Sequence, residues 1–401
     1  MDADVIIAGG GVIGTAVAWR AARDGLAVIM IDPAGDNLHW ADPRAGDPRA
    51  SDTASLVAAG MLGPVSESVF GEQRLLELNL HAVERFPAVN QELETVTGQL
   101  TGLRSEGTLA VAYDSGDLAA LDRLTEFRHS AGLRAERLDA RETRRLEPFL
   151  APSTRGGVLA PGDLSVDNRR YLAALRSAAA GAGVKLVTGT VLRVADAGAG
   201  DNGAGTATAE VALPGPGGLV LTTYQARHVV VAAGHATRTI EGVPAAVRAA
   251  IRPVKGQILR LRHPGGLPQL LTRTVRALVQ GRDLYFVPRA DGELVVGATQ
   301  EERDDREVTA GAVHDLLRDA ATAVPAVSEL LFAEASAGLR PGTSDNGPIV
   351  GRAGAGGLII AAGHFRNGIL LSAVTADAVS ALLRDADPHP AWRPFTPERL
   401  S

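Results

Sequence analysis

Residues 5–14 constrain the fold of this 401-residue chain more than any other segment. The apolar run Val5-Ile6-Ile7-Ala8 leads straight into Gly9-Gly10-Gly11-Val12-Ile13-Gly14. Such a run has the character of a strand buried on both faces. The periodic segment from Thr15 to Arg23 predicts a helix that stops at Asp24-Gly25, and a second apolar run, Ala27 to Ile31, ends at Asp32. Strand, glycine turn, helix, strand and acid in that order form the pattern of a βαβ unit that binds a dinucleotide. Gly9 permits the tight turn, Gly11 lets the backbone approach a pyrophosphate, and Gly14 lets the helix pack against the strand. The helix N-terminus offers free N–H groups and the positive end of its dipole. Asp32 can accept from a ribose diol, and its charge opposes a 2′-phosphate, which disfavours NADP. The bland alternative is a glycine turn in an α/β protein that binds nothing.

A second match to the same spacing, Gly198-Ala199-Gly200-Asp201-Asn202-Gly203, lies between strand-like segments and opens no helix. It predicts a loose hairpin loop, so the chain carries one dinucleotide fold. Composition removes other classes. The 40 basic and 46 acidic side chains leave a net charge of −6, which argues against a nucleic-acid partner. There is no cysteine, which excludes disulfides, thiol nucleophiles, iron–sulfur clusters and Cys-bound zinc. The nine histidines are scattered without metal-ligand spacing, so no metal is expected. No apolar run reaches the roughly 18 residues of a membrane span. The start Met1-Asp2-Ala3-Asp4 lacks the basic region of a signal peptide, which makes a cytoplasmic protein the expectation.

Farther along, helices are expected at 74–94 with a break near Pro87, and at 116–131, 139–146, 168–181, 309–323 and 368–383. Strands are expected at 107–113, 184–187, 191–194, 228–233, 252–262, 336–339 and 358–362, with a hairpin of 284–289 and 294–298 about Asp291-Gly292. The βαβ character leaves and returns twice. This implies an α/β nucleotide domain of separated segments (1–85, 152–240 and 334–401) with a mixed α+β domain inserted (86–151 and 241–333).

Several segments together resemble glycine oxidase, the thiamine-pathway branch of the D-amino-acid oxidase flavoproteins. They are Gly9 to Gly14 with Asp32, Ala58-Ala59-Gly60-Met61-Leu62, Pro253-Val254-Lys255-Gly256-Gln257, Val295-Val296-Gly297-Ala298-Thr299, Gly338-Leu339-Arg340-Pro341-Gly342 and Gly363 to Leu370. The resemblance covers the whole chain. It implies a glutathione-reductase-like FAD-binding domain and a substrate domain whose mixed sheet roofs the flavin. The implied reaction turns glycine into an imine, then glyoxylate and ammonia, while O2 becomes H2O2 and the imine serves thiazole assembly. It also implies a homo-oligomer.

By the same resemblance, FAD contacts fall on Gly9, Gly11, Val12, Ile13, Gly14, Asp32, Pro33, Ala59, Gly60, Met61 and Val191. They continue at Gly363, His364, Phe365, Arg366, Asn367, Gly368, Ile369 and Leu370. Substrate contacts fall on Tyr285, Arg340 and Arg366. Asp32 is one methylene shorter than the family's usual Glu, and the loop from Asp36 to Asp52 is longer than usual. Members that tether FAD do so through a cysteine thioether, so here FAD is expected to be noncovalent.

The residue types suit that chemistry. A guanidinium such as Arg340 grips a carboxylate bidentately and stays charged. Tyr285 can donate its phenol to the same carboxylate. Arg366 could hold substrate, flavin or only its own loop. No general base is required, because a neutral amine can assist its own oxidation. Lys185 and Lys255 are the only lysines, so Lys255 could place a compact charge near the flavin or serve as a structural strand residue. The alternatives are a sarcosine or D-amino-acid oxidase, a dehydrogenase with another acceptor, or a flavin-binding module without turnover.

Overall fold

The computed structural model describes residues 1–35, 53–199, 205–265, 268–354 and 356–400. The loop expected at 36–52 and residues 200–204, which include the last four of the second glycine motif, lie outside the described residues. The strands flanking that motif, Thr190–Ala199 and Gly205–Gly215, pair antiparallel, as a hairpin requires.

The first sheet runs Ile349–Arg352, Leu358–Ala362, Gly218–Val231, Ala3–Ala8, Val28–Asp32, Lys185–Thr188. Along this order all neighbours after the antiparallel first pair are parallel, and Gly205–Gly215 joins the sheet antiparallel to Gly218–Val231. Parallel strands buried on both faces account for the unbroken apolar runs in the sequence. One face is covered by helices Val12–Arg23, Gln73–Thr97, Asn168–Gly181 and Gly368–Leu383. Helix Gly368–Leu383 packs between the first two of these, so it is buried on nearly every side and carries no amphipathic stripe. The chain passes from Ala3–Ala8 to Val28–Asp32 on one side and pairs with Gly218–Val231 on the other. That is a strand-order reversal, the place where open α/β sheets bind ligands at their carboxyl ends.

The break expected at Pro87 is absent: helix Gln73–Thr97 is continuous. Pro87 lies on the exposed side, while Leu78, Ala82, Phe86, Val89 and Leu93 bury the opposite face. Proline inside a helix costs about 3 kcal/mol through a lost backbone bond and a ring clash. Core packing along 25 residues offsets it.

The second sheet runs Leu331–Gly342, Arg252–Arg262, Glu293–Gly297, Arg282–Pro288, Thr274–Val279, Thr108–Ala112, Gly156–Ala160, Glu136–Asp139. Strand Gly156–Ala160 thus pairs in this sheet, past the boundary drawn at 151. Its outer face is covered in part by helix Ala310–Ala323. Its inner face sets Ile258, Tyr285, Val287, Val295 and Ala298 against Val57, Ala59 and Met61. Among the described residues no helix is long and apolar enough to cross a membrane.

Candidate active site

The nucleotide end begins at the carboxyl edge of the first sheet. Gly9 has φ +113° and donates to Ile31 O at 2.8 Å. A Cβ on Gly14 would stand 1.9 Å from Gly9 O, so helix and strand touch through glycine alone. On Gly11 a Cβ would meet only Ser55 Oγ, at 3.4 Å, leaving open space beside the loop. No side chain caps helix Val12–Arg23 from Gly11, and Ser55 Oγ accepts from Val12 N at 3.0 Å. An N-terminus whose described side-chain acceptor is one serine hydroxyl, beside an open glycine, fits a phosphate group.

Asp32 accepts from Gly10 N at 2.6 Å and Ala34 N at 2.9 Å. Arg176 and Thr15 both donate to Gly10 O, at 2.9 and 3.1 Å. The carboxylate therefore fixes the glycine loop and keeps lone pairs for a diol. Pro33 beside it is exposed. Gly189 N donates to Asp32 O at 3.1 Å and Val191 pairs with Val211, which brings Val191's strand to the same edge.

The segment from Ser55 to Leu62 is held by residues that the sequence did not single out. Asn168 Nδ2 donates to Ser55 O and Leu56 O at 2.8 and 3.0 Å. Arg289 donates to Ala59 O and Val166 O, both at 2.7 Å. Arg260 donates to Leu56 O at 3.2 Å and pairs with Glu293 at 2.5 Å. Gly60, at φ +76°, has Val166 O 2.1 Å from its Cβ position. Met61 pairs with Ser165 and packs against the inner face of the second sheet. The available signal was phase: Ile258 with Arg260, and Tyr285 with Val287 and Arg289, place charge on the buried face of a strand.

The Gly363–Leu370 segment follows strand Leu358–Ala362 at the same sheet edge. Gly363 has φ +74° and Phe365 φ +46°, a tight reversal before helix Gly368–Leu383. A Cβ on Gly368 would face Val12 Cγ1 at 4.0 Å, so the two helix N-termini are neighbours. Ile369 and Leu370 are buried, no side chain caps the helix, and the buried Asn367 Nδ2 lacks a partner. These donors fit negative charge developing on a flavin.

His364 Nε2 meets Thr375 Oγ1 at 3.0 Å, and burial lowers its pKa from 6.5 to about 3. It is neutral at working pH and structural. As pH falls the unfolded chain takes up this proton first. The histidine's contribution to stability is therefore complete above about 6.5 and is lost as pH falls toward 3. His364→Gln should flatten the acid limb of a Tm-against-pH curve, and a parallel acid limb would refute the assignment.

The substrate side lies on the inner face of the second sheet. Tyr285 stands opposite Gly297, whose Cβ position is 2.4 Å from Tyr285 Oη. Burial pushes its phenol above 10.0, against the pull of Arg340, so it remains a donor. Arg340 Nη1 donates to Thr299 O at 3.2 Å, and no carboxylate pairs with this guanidinium among the described residues. Arg366, by contrast, is engaged: it pairs with Glu72 at 3.1 Å and donates to Glu67 O at 3.4 Å. Lys255 alternates to the outer face, is fully buried and pairs with Asp305 at 2.5 Å. The hydrogen bond from Lys255 leads the causes that hold Asp305 down at about 2.

Known proteins resemble the chain in sequence and fold. The chain is 33% identical to the glycine oxidase of Geobacillus kaustophilus, covering 98% of this chain and 96% of that one. It is 32% identical to the bifunctional protein ThiO/ThiG of Synechocystis sp., over 99% of this chain, and spans 54% of that longer protein. The crystal structure of the Geobacillus kaustophilus glycine oxidase superposes with a TM-score of 0.83 at 31% identity, covering 98% of each chain. The model of the FAD-dependent oxidoreductase family DAO matches residues 4–382, and the chain belongs to that family.

Proposed function

We propose that this FAD-dependent oxidoreductase oxidises glycine, or another small α-amino acid, at its Cα–N bond. Glycine, O2 and H2O give glyoxylate, NH3 and H2O2; two electrons and two protons leave the substrate for O2. The observation that carries the reading is Arg340, a guanidinium without an acidic partner among the described residues, beside the phenol of Tyr285. FAD, when bound, supplies the two-electron acceptor. Arg340 takes the substrate carboxylate through its free edge and Tyr285 donates to the same group, which leaves Cα oriented toward the Ala59–Met61 side. Water is excluded by Val57, Ile258, Val287 and Val295 around that contact. Arg366 orders the loop that carries the helix N-terminus through its pair with Glu72.

The similarity to glycine oxidases supports glycine as substrate, and that to ThiO/ThiG supports use of the imine in thiamine thiazole assembly. The proposal extends to a cytoplasmic homo-oligomer. The test is peroxidase-coupled detection of H2O2 when the purified yellow protein meets glycine. Turnover only with an artificial dye would remove O2 as acceptor, and preference for sarcosine or a D-amino acid would change the substrate. Because the chain has no cysteine, acid precipitation should leave the yellow colour in the supernatant; colour retained in the pellet would contradict noncovalent FAD.

A further inference from the structure

The geometry points to Gly256 as a positioning residue that acts through Arg340 on recognition of the substrate carboxylate. This inference rests on the reading of Arg340 as the anchor. Arg340 stands opposite Val254 across the antiparallel strands, and Gly256 is its diagonal neighbour on the same face. A Cβ built on Gly256 would lie 2.2 Å from Nη1, 2.4 Å from Cζ and 2.4 Å from Nη2 of Arg340. The guanidinium therefore rests flat on bare backbone, in space that any side chain larger than hydrogen would occupy. Nη1 is pinned there by Thr299 O at 3.2 Å. With Nη1 so engaged, Nε and Nη2 present an edge with no acceptor among the described residues. That edge matches the two oxygens of a carboxylate.

The backbone itself does not call for glycine. Gly256 sits in the extended strand Arg252–Arg262, where alanine is accommodated and glycine weakens the strand. Two other glycines on this face serve other contacts. Gly338, directly opposite, has its Cβ position 3.0 Å from Val57 Cβ and 3.3 Å from Ala54 Cα, a close approach of strand and helix. Gly297 faces both Tyr285 and Ile258. At Gly256 the nearest atoms all belong to the anchor. Because these are the far end of a flexible side chain, a methyl group would displace the guanidinium rather than the fold. Restoring ordinary contact demands about 1 Å of lift, which breaks the bond to Thr299 O and misaims the free edge.

The experiment is a double-mutant cycle on the FAD-loaded protein with Gly256→Ala, Arg340→Ala and the combination. Acetate binding is read from the flavin absorbance change, and glycine turnover gives KM and kcat. Gly256→Ala should raise the acetate Kd and the glycine KM by about 10- to 100-fold. Its kcat should change far less, and FAD content and Tm should match the parent. In the Arg340→Ala background, Gly256→Ala should add nothing, since its effect passes through the missing side chain. A parental Kd in Gly256→Ala beside a raised Kd in Arg340→Ala overturns this inference and leaves the anchor standing. A further, additive loss in the double variant, or loss of FAD from Gly256→Ala, assigns the glycine to packing and also overturns it. An unchanged Kd in Arg340→Ala overturns the anchor reading itself and the inference with it.

Discussion

Arg340→Ala should lower kcat/KM for glycine on the order of 100-fold, roughly 3 kcal/mol, with most of the loss in KM. The guanidinium has one nitrogen on Thr299 O and no carboxylate partner among the described residues, so on this reading the substrate supplies the charge that balances it. Removing it leaves the substrate carboxylate in a partly desolvated site beside Tyr285, and the cost of an unpaired buried charge exceeds that of one hydrogen bond. Tyr285→Phe should cost less, about 10-fold, because only the donor is lost. The fold should be indifferent to both changes, since neither side chain bridges an acidic partner among the described residues. Steady-state kinetics with glycine, alongside FAD content, decide the matter. Unchanged kinetics in Arg340→Ala would mean that the carboxylate is held elsewhere.

Gly14→Ala should yield a colourless protein. The added methyl group would sit 1.9 Å from Gly9 O and 3.0 Å from Gly9 C, both backbone atoms. Gly9 cannot retreat: it is tied to Ile31 O at 2.8 Å, and Ala232 O already lies 2.5 Å from its own Cβ position. The helix must move instead, and its N-terminus leaves the glycine loop. Overpacking of this kind costs about 1–3 kcal/mol or more. FAD affinity should fall on the order of 100-fold because the donors are misaimed by about 1 Å. Gly11→Ala supplies the contrast. Its Cβ position meets only Ser55 Oγ at 3.4 Å, so Tm should hold while FAD affinity drops. Equal colour in Gly14→Ala and the parent would remove the glycine loop from the cofactor site.

The glycine turn and the acid beside it were legible because their information is local. Gly9 to Gly14 and Asp32 lie within one βαβ unit, and local sterics fix their geometry. Tyr285 and Arg340 were named by the family resemblance, their residue types suit a carboxylate, and the sheet pairing puts them on one face. What sequence could not show is pairing across long separations. Arg366 meets Glu72, 294 residues away, and so has a carboxylate partner where Arg340 has none among the described residues. Lys255 finds Asp305, 50 residues on, and turns its charge to the outer face of the sheet. The clamp of Asn168, Arg260 and Arg289 on the Ser55–Met61 backbone likewise joins segments with no shared periodicity. Pro87 was misjudged for a related reason: local propensity argued for a break, and tertiary packing overrode it.

The central position of helix Gly368–Leu383 sets the timetable of synthesis. Helix Val12–Arg23, whose apolar residues pack on it, leaves the ribosome almost the whole chain earlier. At about 5–20 residues per second, that interval is roughly 20–70 s. Strand Gly218–Val231 likewise waits for Leu358–Ala362 to complete the sheet. For that time the nascent chain carries an apolar helix face and an open strand edge, the surfaces that chaperones shield. The two helix N-termini come together only after Gly368 has emerged, so nascent chains that stop short of that residue should take up no flavin.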